Sequence, residues 1–555
     1  MRAAAPGPAS VLRLAGVGAA AVLSVALFFR FGLLSGFGTV FGDTYDGVIE
    51  VSILEHWLNV FRGLSRWNQT FSFYPTPATL GYNDGYLIYG ALHSVFRALG
   101  ADPFLASECV NMTVKLSGFV GFYVFATRAL ALPPAWAALG ASVFTLSNNS
   151  YVRGGHAQLF TVAFAPVLAA LLWEMAAAIG RRSRWAVAGW GVAAALLFPA
   201  WLLTGFYMAW FFTAFAILWL PLLAWTSGWR RVRQFAADSM ACWFPLAGSA
   251  GALALGVVPF LRLYLPKAAQ GVHGAAEMAG YLLSPLDALH LGGDSLLYAS
   301  WQAWLRPALS PNLENATGFT PVLLAMFVAG GGWAAWRWRA AGMAASMALA
   351  AGLLWLAAVS FGGASFWTFV FDHVPGAKAV RVVSRVQIFL AWPVVSVAIA
   401  GLAAAAARLR SAGPYAPVAA GALGLLFVVE QVNTQQIPAL DRTAQVAWLR
   451  AMPAPPGECR SFVVTEPRPA DLRFGLEIAS MVGHNIDAMM LAEWHRLPTV
   501  NGFASLLPPG WNLLWIGRPD YLGRVRDYAV RTGVAAGFCG VSLQSGAWDT
   551  TPLAD

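Results

Sequence analysis

Phe41-Gly42-Asp43-Thr44-Tyr45-Asp46-Gly47-Val48-Ile49-Glu50-Val51-Ser52-Ile53-Leu54-Glu55-His56-Trp57 follows the first long apolar run of the chain, residues 11–33. From Tyr45 to Leu64 the pattern is helical. Ile49, Ile53, Trp57, Val60 and Leu64 form one stripe, and Ser52, Glu55, Asn59 and Arg62 form the opposite one. Such a helix is expected to lie along a membrane surface. Asp46 and Glu50 project on its apolar side, where a carboxylate cannot favourably face lipid. They are expected to face a cavity, where one acid could serve as a general base. Asp43 has a second reading: it, or Thr44, caps the helix, and the acids favour its positive end.

Composition requires lipid as part of the solvent. Of 555 residues, 58% are hydrophobic and only 11% charged, against about 25% charged in a soluble domain. The net charge is +9, but its location excludes nucleic-acid binding. From Gln431 onward there are 10 basic and 11 acidic residues, leaving 25 basic and 15 acidic before it, from totals of 35 and 26. The excess sits between apolar runs, and no basic tract is interleaved with aromatics. The bias toward Arg, with three lysines only, resembles a GC-rich bacterial genome.

Apolar runs near 11–33, 104–126, 132–148, 157–179, 185–203, 206–226, 239–261, 317–336, 341–361, 386–407 and 414–430 predict about eleven membrane-spanning helices. The first is read as uncleaved, although Ala-rich residues near Ala20 mimic a signal cleavage site. Arg2, Arg13, Arg128, the cluster Arg181/Arg182/Arg184, the cluster Arg230/Arg231/Arg233, Arg337/Arg339 and Arg408/Arg410 all fall on one side of this alternation. The positive-inside rule makes that side the cytoplasm. Loop one (34–103), the connections 262–316 and 362–385, and the tail then lie outside. The fold class expected is an all-α polytopic membrane protein spanning residues 1–430, in a bacterial inner membrane. A small extracytoplasmic α/β domain, 431–555, follows it. In that tail, Ser461–Thr465 and Gly540–Leu543 read as strands and Gly475–Val482 as helical. Cys459 and Cys539 flank the strands and form a disulfide candidate, the alternative being two free thiols. Cys109 and Cys242 read as packing residues.

Other candidates lie along the chain. Asp84 is expected to open a second interfacial helix over 84–99, as its cap or as a catalytic acid. Glu108, Asn111 and Lys115 share one face of the second apolar run. Lys115 is a phosphate ligand or a structural hydrogen bonder to Asn111 and a nearby acid. In the connection Ser147–Gln158, Asn148, Asn149, Arg153, His156 and Gln158 cluster, and His156 either holds sugar hydroxyls or is solvated. Lys378, Arg381 and Arg385 break the charge bias on the external side. Arg381 and Arg385, taken as one helical turn apart, either grip one phosphate through bidentate forks or snorkel to headgroups. His484, Asp487, Glu493, His495 and Asn501 either line an acceptor path or fold the tail. No zinc spacing, P-loop or dinucleotide fingerprint occurs.

This layout resembles the GT-C superfamily, integral-membrane glycosyltransferases that use polyprenyl-phosphate sugar donors. Gly42-Asp43, Asp46-Gly47, Glu55-His56-Trp57, Phe73-Tyr74-Pro75 and Asn83-Asp84-Gly85 look like pieces of a bacterial branch. The resemblance implies that the catalytic acid falls on Asp43 or Asp46 and the phosphate-binding arginine on Arg381 or Arg385. Lys115 and Lys378 are further phosphate candidates, and Glu50, Asp84 and His156 substrate candidates. It implies inverting transfer of a sugar from a polyprenyl-phosphate donor to an extracytoplasmic glycan, lipid or protein acceptor. No cofactor or metal site is expected; the adjacent Asp-Asp or Asp-X-Asp pattern of some branches is absent, which leaves divalent-cation dependence open. The competing readings are a lipid or solute transporter, disfavoured by the absence of an internal repeat, and a non-catalytic envelope assembly protein.

Overall fold

The computed structural model describes residues 8–409, 416–469 and 476–552. Among them, each of the eleven apolar runs carries a helix. Six helices are long and apolar enough to cross a membrane: Pro103–Arg128, Ala157–Gly180, Arg184–Thr204, Phe206–Ser227, Trp243–Ala268 and Val383–Leu409. Shorter apolar helices, Arg13–Phe28, Pro321–Trp336, Gly342–Ala358 and Val418–Val429, accompany them. The run at 132–148 forms Pro134–Leu146, whose 13 residues reach about 20 Å, less than a hydrocarbon core of about 30 Å.

Val383–Leu409 is the axis of the bundle, with 83% of its apolar window buried. The Trp392 ring lies 5.2 Å from Phe125, 5.6 Å from Phe215 and 5.8 Å from Trp219. Further along, Gly401 crosses Gly330 so closely that a Cβ on Gly401 would meet the Gly330 Cα at 2.6 Å. Small residues at a crossing let two backbones approach, which is how helices gain packing where lipid removes the hydrophobic drive.

Gly205 alone separates Arg184–Thr204 from Phe206–Ser227. The break frees backbone groups that a continuous helix would use internally, and loop one takes them. Tyr86 N donates to Thr204 O at 3.1 Å, Ile88 N to the Thr204 hydroxyl at 3.0 Å, and Phe206 N to Asp84 Oδ1 at 3.1 Å. Contrary to the expectation from sequence, Asp84 therefore does not cap the helix that follows it. That helix is Leu87–Ala98, and its N-cap is Tyr86, which has no side-chain cap. The carboxylate caps the start of Phe206–Ser227 instead, because that helix has an N–H within reach and Gly205 offers no side chain.

The loop-one helix forms at Asp46–Phe61. Every residue from Gly47 to Asn59 is buried in protein, so over that span neither stripe lies open to lipid or water. On the polar stripe, Ser52, Glu55 and Asn59 are covered and Arg62 at its end stays exposed. Glu55 Oε1 accepts from Arg97 Nε at 2.7 Å and sits 2.8 Å from His93 Nε2. Asn59 Nδ2 donates to Glu493 Oε2 at 3.0 Å. Glu493 belongs to the tail helix Leu476–His495, so the tail closes over loop one.

The tail is an α/β unit. Strands β3 (Ser461–Glu466), β4 (Phe538–Ser542) and β5 (Trp548–Asp549) form a sheet in that order, β3 parallel and β5 antiparallel to β4. Cys459 and Cys539 are joined by a disulfide closing 80 residues of chain. Strand β1 (Thr39–Phe41) pairs antiparallel with β2 (Ala439–Asp441). Arg442 donates to Asp102 Oδ2 from Nη2 at 2.6 Å and from Nε at 2.9 Å. These two ties pin the start and end of loop one to the tail.

Candidate active site

Four segments far apart in sequence meet where loop one enters the bundle. Asp43 precedes the loop-one helix, and its Oδ1 accepts from Tyr45 N at 2.8 Å and Gly47 N at 3.3 Å. One oxygen thus holds the helix start. The other faces Gly155, where an added Cβ would lie 3.6 Å from Oδ2. Burial, then repulsion from Asp46, push the Asp43 carboxyl above the ordinary carboxylate range, against the pull of the two N–H groups and His156. Asp46 opens the helix, with its side chain 48% exposed and Oδ2 3.4 Å from His156 Nδ1.

His156 bridges to a second acid: its Nε2 lies 3.3 Å from Glu314 Oε1. Glu314 also accepts from Arg153 Nη1 at 3.1 Å and from Arg385 Nη2 at 3.0 Å and Nε at 3.3 Å. Arg153 further donates to Leu313 O, and the Arg385 guanidinium stacks 5.4 Å from the Tyr207 ring centroid. Burial raises the Glu314 carboxyl, but Arg385, His156 and Arg153 outweigh it and hold it well below the usual range. Asp84 lies beside this network. Burial lifts its carboxyl, and the Phe206 N–H, Arg385 and His156 pull it back. The side chain of Arg385 is 8% exposed and that of Glu314 24%, so the cations form a floor and Asp46 the solvent rim.

Arg381 and Arg385 do not grip together. Residues 383–385 form a single 3-10 turn, and Val382 before it is non-helical at φ −89, ψ 86, so the one-turn spacing expected from sequence is absent. Arg381 turns to Glu277 Oε1 at 3.2 Å. Its backbone N–H and that of Val382 donate to the Tyr207 hydroxyl at 2.9 and 3.3 Å, which fixes the segment that aims Arg385. Lys378 is exposed, 6.0 Å from the Phe371 ring centroid. Lys115 is buried away from Asn111: its ammonium donates to Ser150 Oγ at 2.7 Å and Thr145 O at 3.3 Å. It also sits over the Phe28 and Phe160 rings at 4.0 and 4.6 Å. Hydroxyl, carbonyl and ring faces together satisfy it, a structural arrangement.

Glu50 is buried, and its Oε1 accepts from Ser107 Oγ at 3.0 Å. Burial pushes its carboxyl up to about 8. The amides near His156 tie separate segments together: Asn148 Nδ2 donates to Leu291 O in a loop and Asn149 Nδ2 to Gln387 O in the axial helix, both at 3.0 Å. Gln158 accepts from the Tyr86 hydroxyl at 3.0 Å. In the tail, Asp487 pairs with Arg468 and Asn501 Nδ2 donates to Asn485 Oδ1 at 2.9 Å; these polar groups fold the domain. Among the described residues no group of three His, Cys, Asp or Glu side chains is placed to hold a metal ion. Sequence reasoning does not single out Glu314, an isolated acid in a loop without periodicity or motif. The only signal is indirect, three cations in a segment where the charge alternation along the chain predicts none.

No protein-family model matches the chain, and no curated protein does. Solved structures with a similar organisation include the arabinofuranosyltransferase AftD from Mycobacteria, at 16% identity and a TM-score of 0.44, over 89% of this chain and 32% of that one. This chain therefore spans about a third of that relative. The apo oligosaccharyltransferase of Archaeoglobus fulgidus matches at 12% identity and a TM-score of 0.49, over 96% and 69%. ArnT from Cupriavidus metallidurans, bound to undecaprenyl phosphate, matches at 15% identity and a TM-score of 0.38, over 89% and 86%.

Proposed function

We propose that the chain is a membrane glycosyltransferase that moves one sugar from a polyprenyl-phosphate donor to a hydroxyl-bearing acceptor outside the cytoplasm. The observation that carries this reading is the convergence of Asp43 and Asp46 on the cluster of His156, Arg153 and Arg385 around Glu314. Displacement at an anomeric carbon needs both halves of that arrangement, a base for the incoming hydroxyl and cations for the leaving phosphate.

Asp43 takes the proton of the acceptor hydroxyl. The oxygen attacks the anomeric carbon as the bond from that carbon to the phosphate oxygen breaks. The electron pair leaves with the polyprenyl phosphate, and Arg385 and Arg153 stabilise its charge. A single displacement inverts the anomeric configuration. The raised Asp43 carboxyl suits a base, since a higher pKa makes a better proton acceptor. Asp46 and His156, at the rim, orient the acceptor.

An apolar cavity of about 420 Å³ supports a lipid-linked donor. Trp210, Leu218, Leu354, Trp367, Val370 and Val374 line it. Exposed Ile217, Leu353 and Phe366 at its edge open it sideways from the bundle. Val374 is among its lining residues, and the carbonyl of Pro375 next to it accepts from Trp210 Nε1 at 3.0 Å. The segment that carries Lys378, Arg381 and Arg385 starts there. An isoprenoid chain in this groove would bring its phosphate toward that segment.

The test is incubation of the purified full chain with labelled polyprenyl-phosphate sugars and a panel of glycan and lipid acceptors. Labelled product from wild type but not from Asp43→Asn and Asp46→Asn together supports the reading. Donor that neither binds nor turns over sinks it.

A further inference from the structure

We propose that the helix Trp229–Ala241 is a binding surface for anionic phospholipid headgroups, at the end of the bundle opposite the candidate active site. The placement follows from the preceding helix. Phe206–Ser227 begins at Asp84 and its 22 residues run about 33 Å before Gly228 turns the chain into Trp229–Ala241.

This helix is polar overall and uncovered by protein: Asp238 is its one buried residue. Asp238 anchors it, accepting from Arg182 Nε at 2.7 Å and from Gln234 Nε2 at 3.1 Å. At 100° per residue, Arg230, Arg231 and Arg233 fall on one arc and Trp229, Phe235 and Met240 on the other. The arginines are exposed, and so are the apolar three, at 65%, 45% and 72%. Arg233 also stacks 5.1 Å from the Trp229 ring centroid, at the seam between the arcs.

Water on both arcs would leave the apolar side without a partner. A bilayer surface satisfies both, with the tryptophan and methionine among acyl chains and the guanidinium groups among phosphates. The charge selects an anionic leaflet. Arg181 and Arg184 adjoin Arg182 in sequence, and Asp238 is the one acid within the helix. Continuity selects lipid over an acidic protein. The apolar arc runs on to exposed Trp225 and Trp243, and the next helix, Trp243–Ala268, has only 11% of its apolar window buried.

Native mass spectrometry of the full chain, released from bilayers of equal phosphatidylglycerol and phosphatidylcholine, reads the lipids retained. Wild type should retain phosphatidylglycerol in preference, and the preference should fall as salt rises during release. R230Q/R231Q/R233Q should lose at least tenfold of that preference, given about fivefold per arginine at an anionic surface. R230K/R231K/R233K should keep it, because a lipid surface reads charge rather than a guanidinium fork. Three results overturn the proposal: no preference in wild type, which would leave the face to an acidic protein; a preference indifferent to salt; or a glutamine variant that retains phosphatidylglycerol like wild type. The salt series needs no variant, so a glutamine protein that misfolds leaves the proposal testable.

Discussion

Arg385 donates to one carboxylate oxygen of Glu314 through both Nε and Nη2, at 3.3 and 3.0 Å, across 71 residues of sequence. A phosphate arriving at this guanidinium must share or displace that carboxylate. Arg385→Ala should weaken donor binding about 10- to 150-fold, the loss of a charged contact of roughly 1.5–3 kcal/mol. Arg381→Ala should cost much less, since that side chain is committed to Glu277. Glu314→Gln keeps the shape and removes the competing charge, so it should tighten donor binding. Equilibrium binding of a labelled polyprenyl-phosphate sugar reads all three. Loss of binding in Glu314→Gln equal to that in Arg385→Ala would mean that the carboxylate positions the arginine instead of competing for it.

Asp43→Asn should abolish turnover and leave donor affinity nearly intact. Asp46→Asn should lower turnover less, since its side chain stands at the rim. The pH profile adds an independent reading. The Asp43 carboxyl is raised, and a base works only when ionised. Activity should therefore fall as pH drops through that raised value, above the ordinary aspartate value of about 3.9. A profile flat down to pH 4, or full turnover in Asp43→Asn, would assign the base elsewhere.

Glu50 makes stability depend on pH. Its folded-state carboxyl titrates at about 8, against a value near 4.5 when exposed, so the folded chain binds the extra proton between them. Stability from this group is whole below about pH 4.5 and declines as pH rises toward 8. Glu50→Gln should flatten that decline and raise the unfolding temperature at pH 8 more than at pH 5. Thermal melts of the detergent-solubilised chain at both values test it. An equal effect at both would show that Glu50 does not change protonation on unfolding.

The Cys459–Cys539 bond closes 80 residues of chain. Cross-linking a loop of that size restricts the unfolded tail by about 4.5 kcal/mol. Cys459→Ser with Cys539→Ser should lower tail stability on that scale and hasten limited proteolysis there. Peptide mapping without reductant should recover the linked pair. Two freely alkylated thiols in unreduced protein would contradict it.

The apolar runs, the helix after Asp43, the strands of the tail and the cysteines beside them are all legible in the amino-acid order alone. Each is a local or compositional signal: a run of length, a period of 3.6, an alternation, a charge count. Tertiary structure decided which polar groups meet. Asp84 caps a helix 122 residues away, Glu493 covers the stripe that reads as water-facing, Lys115 is satisfied by Ser150, and Arg385 separates from Arg381 to meet Glu314. None of these partners is encoded by spacing, because a buried polar group is satisfied by whatever distant segment packs against it. The periodicity of Asp46–Phe61 fixes which residues share a face, but only the tail, folding back through β2 and Glu493, decides that the face meets protein and not lipid or water.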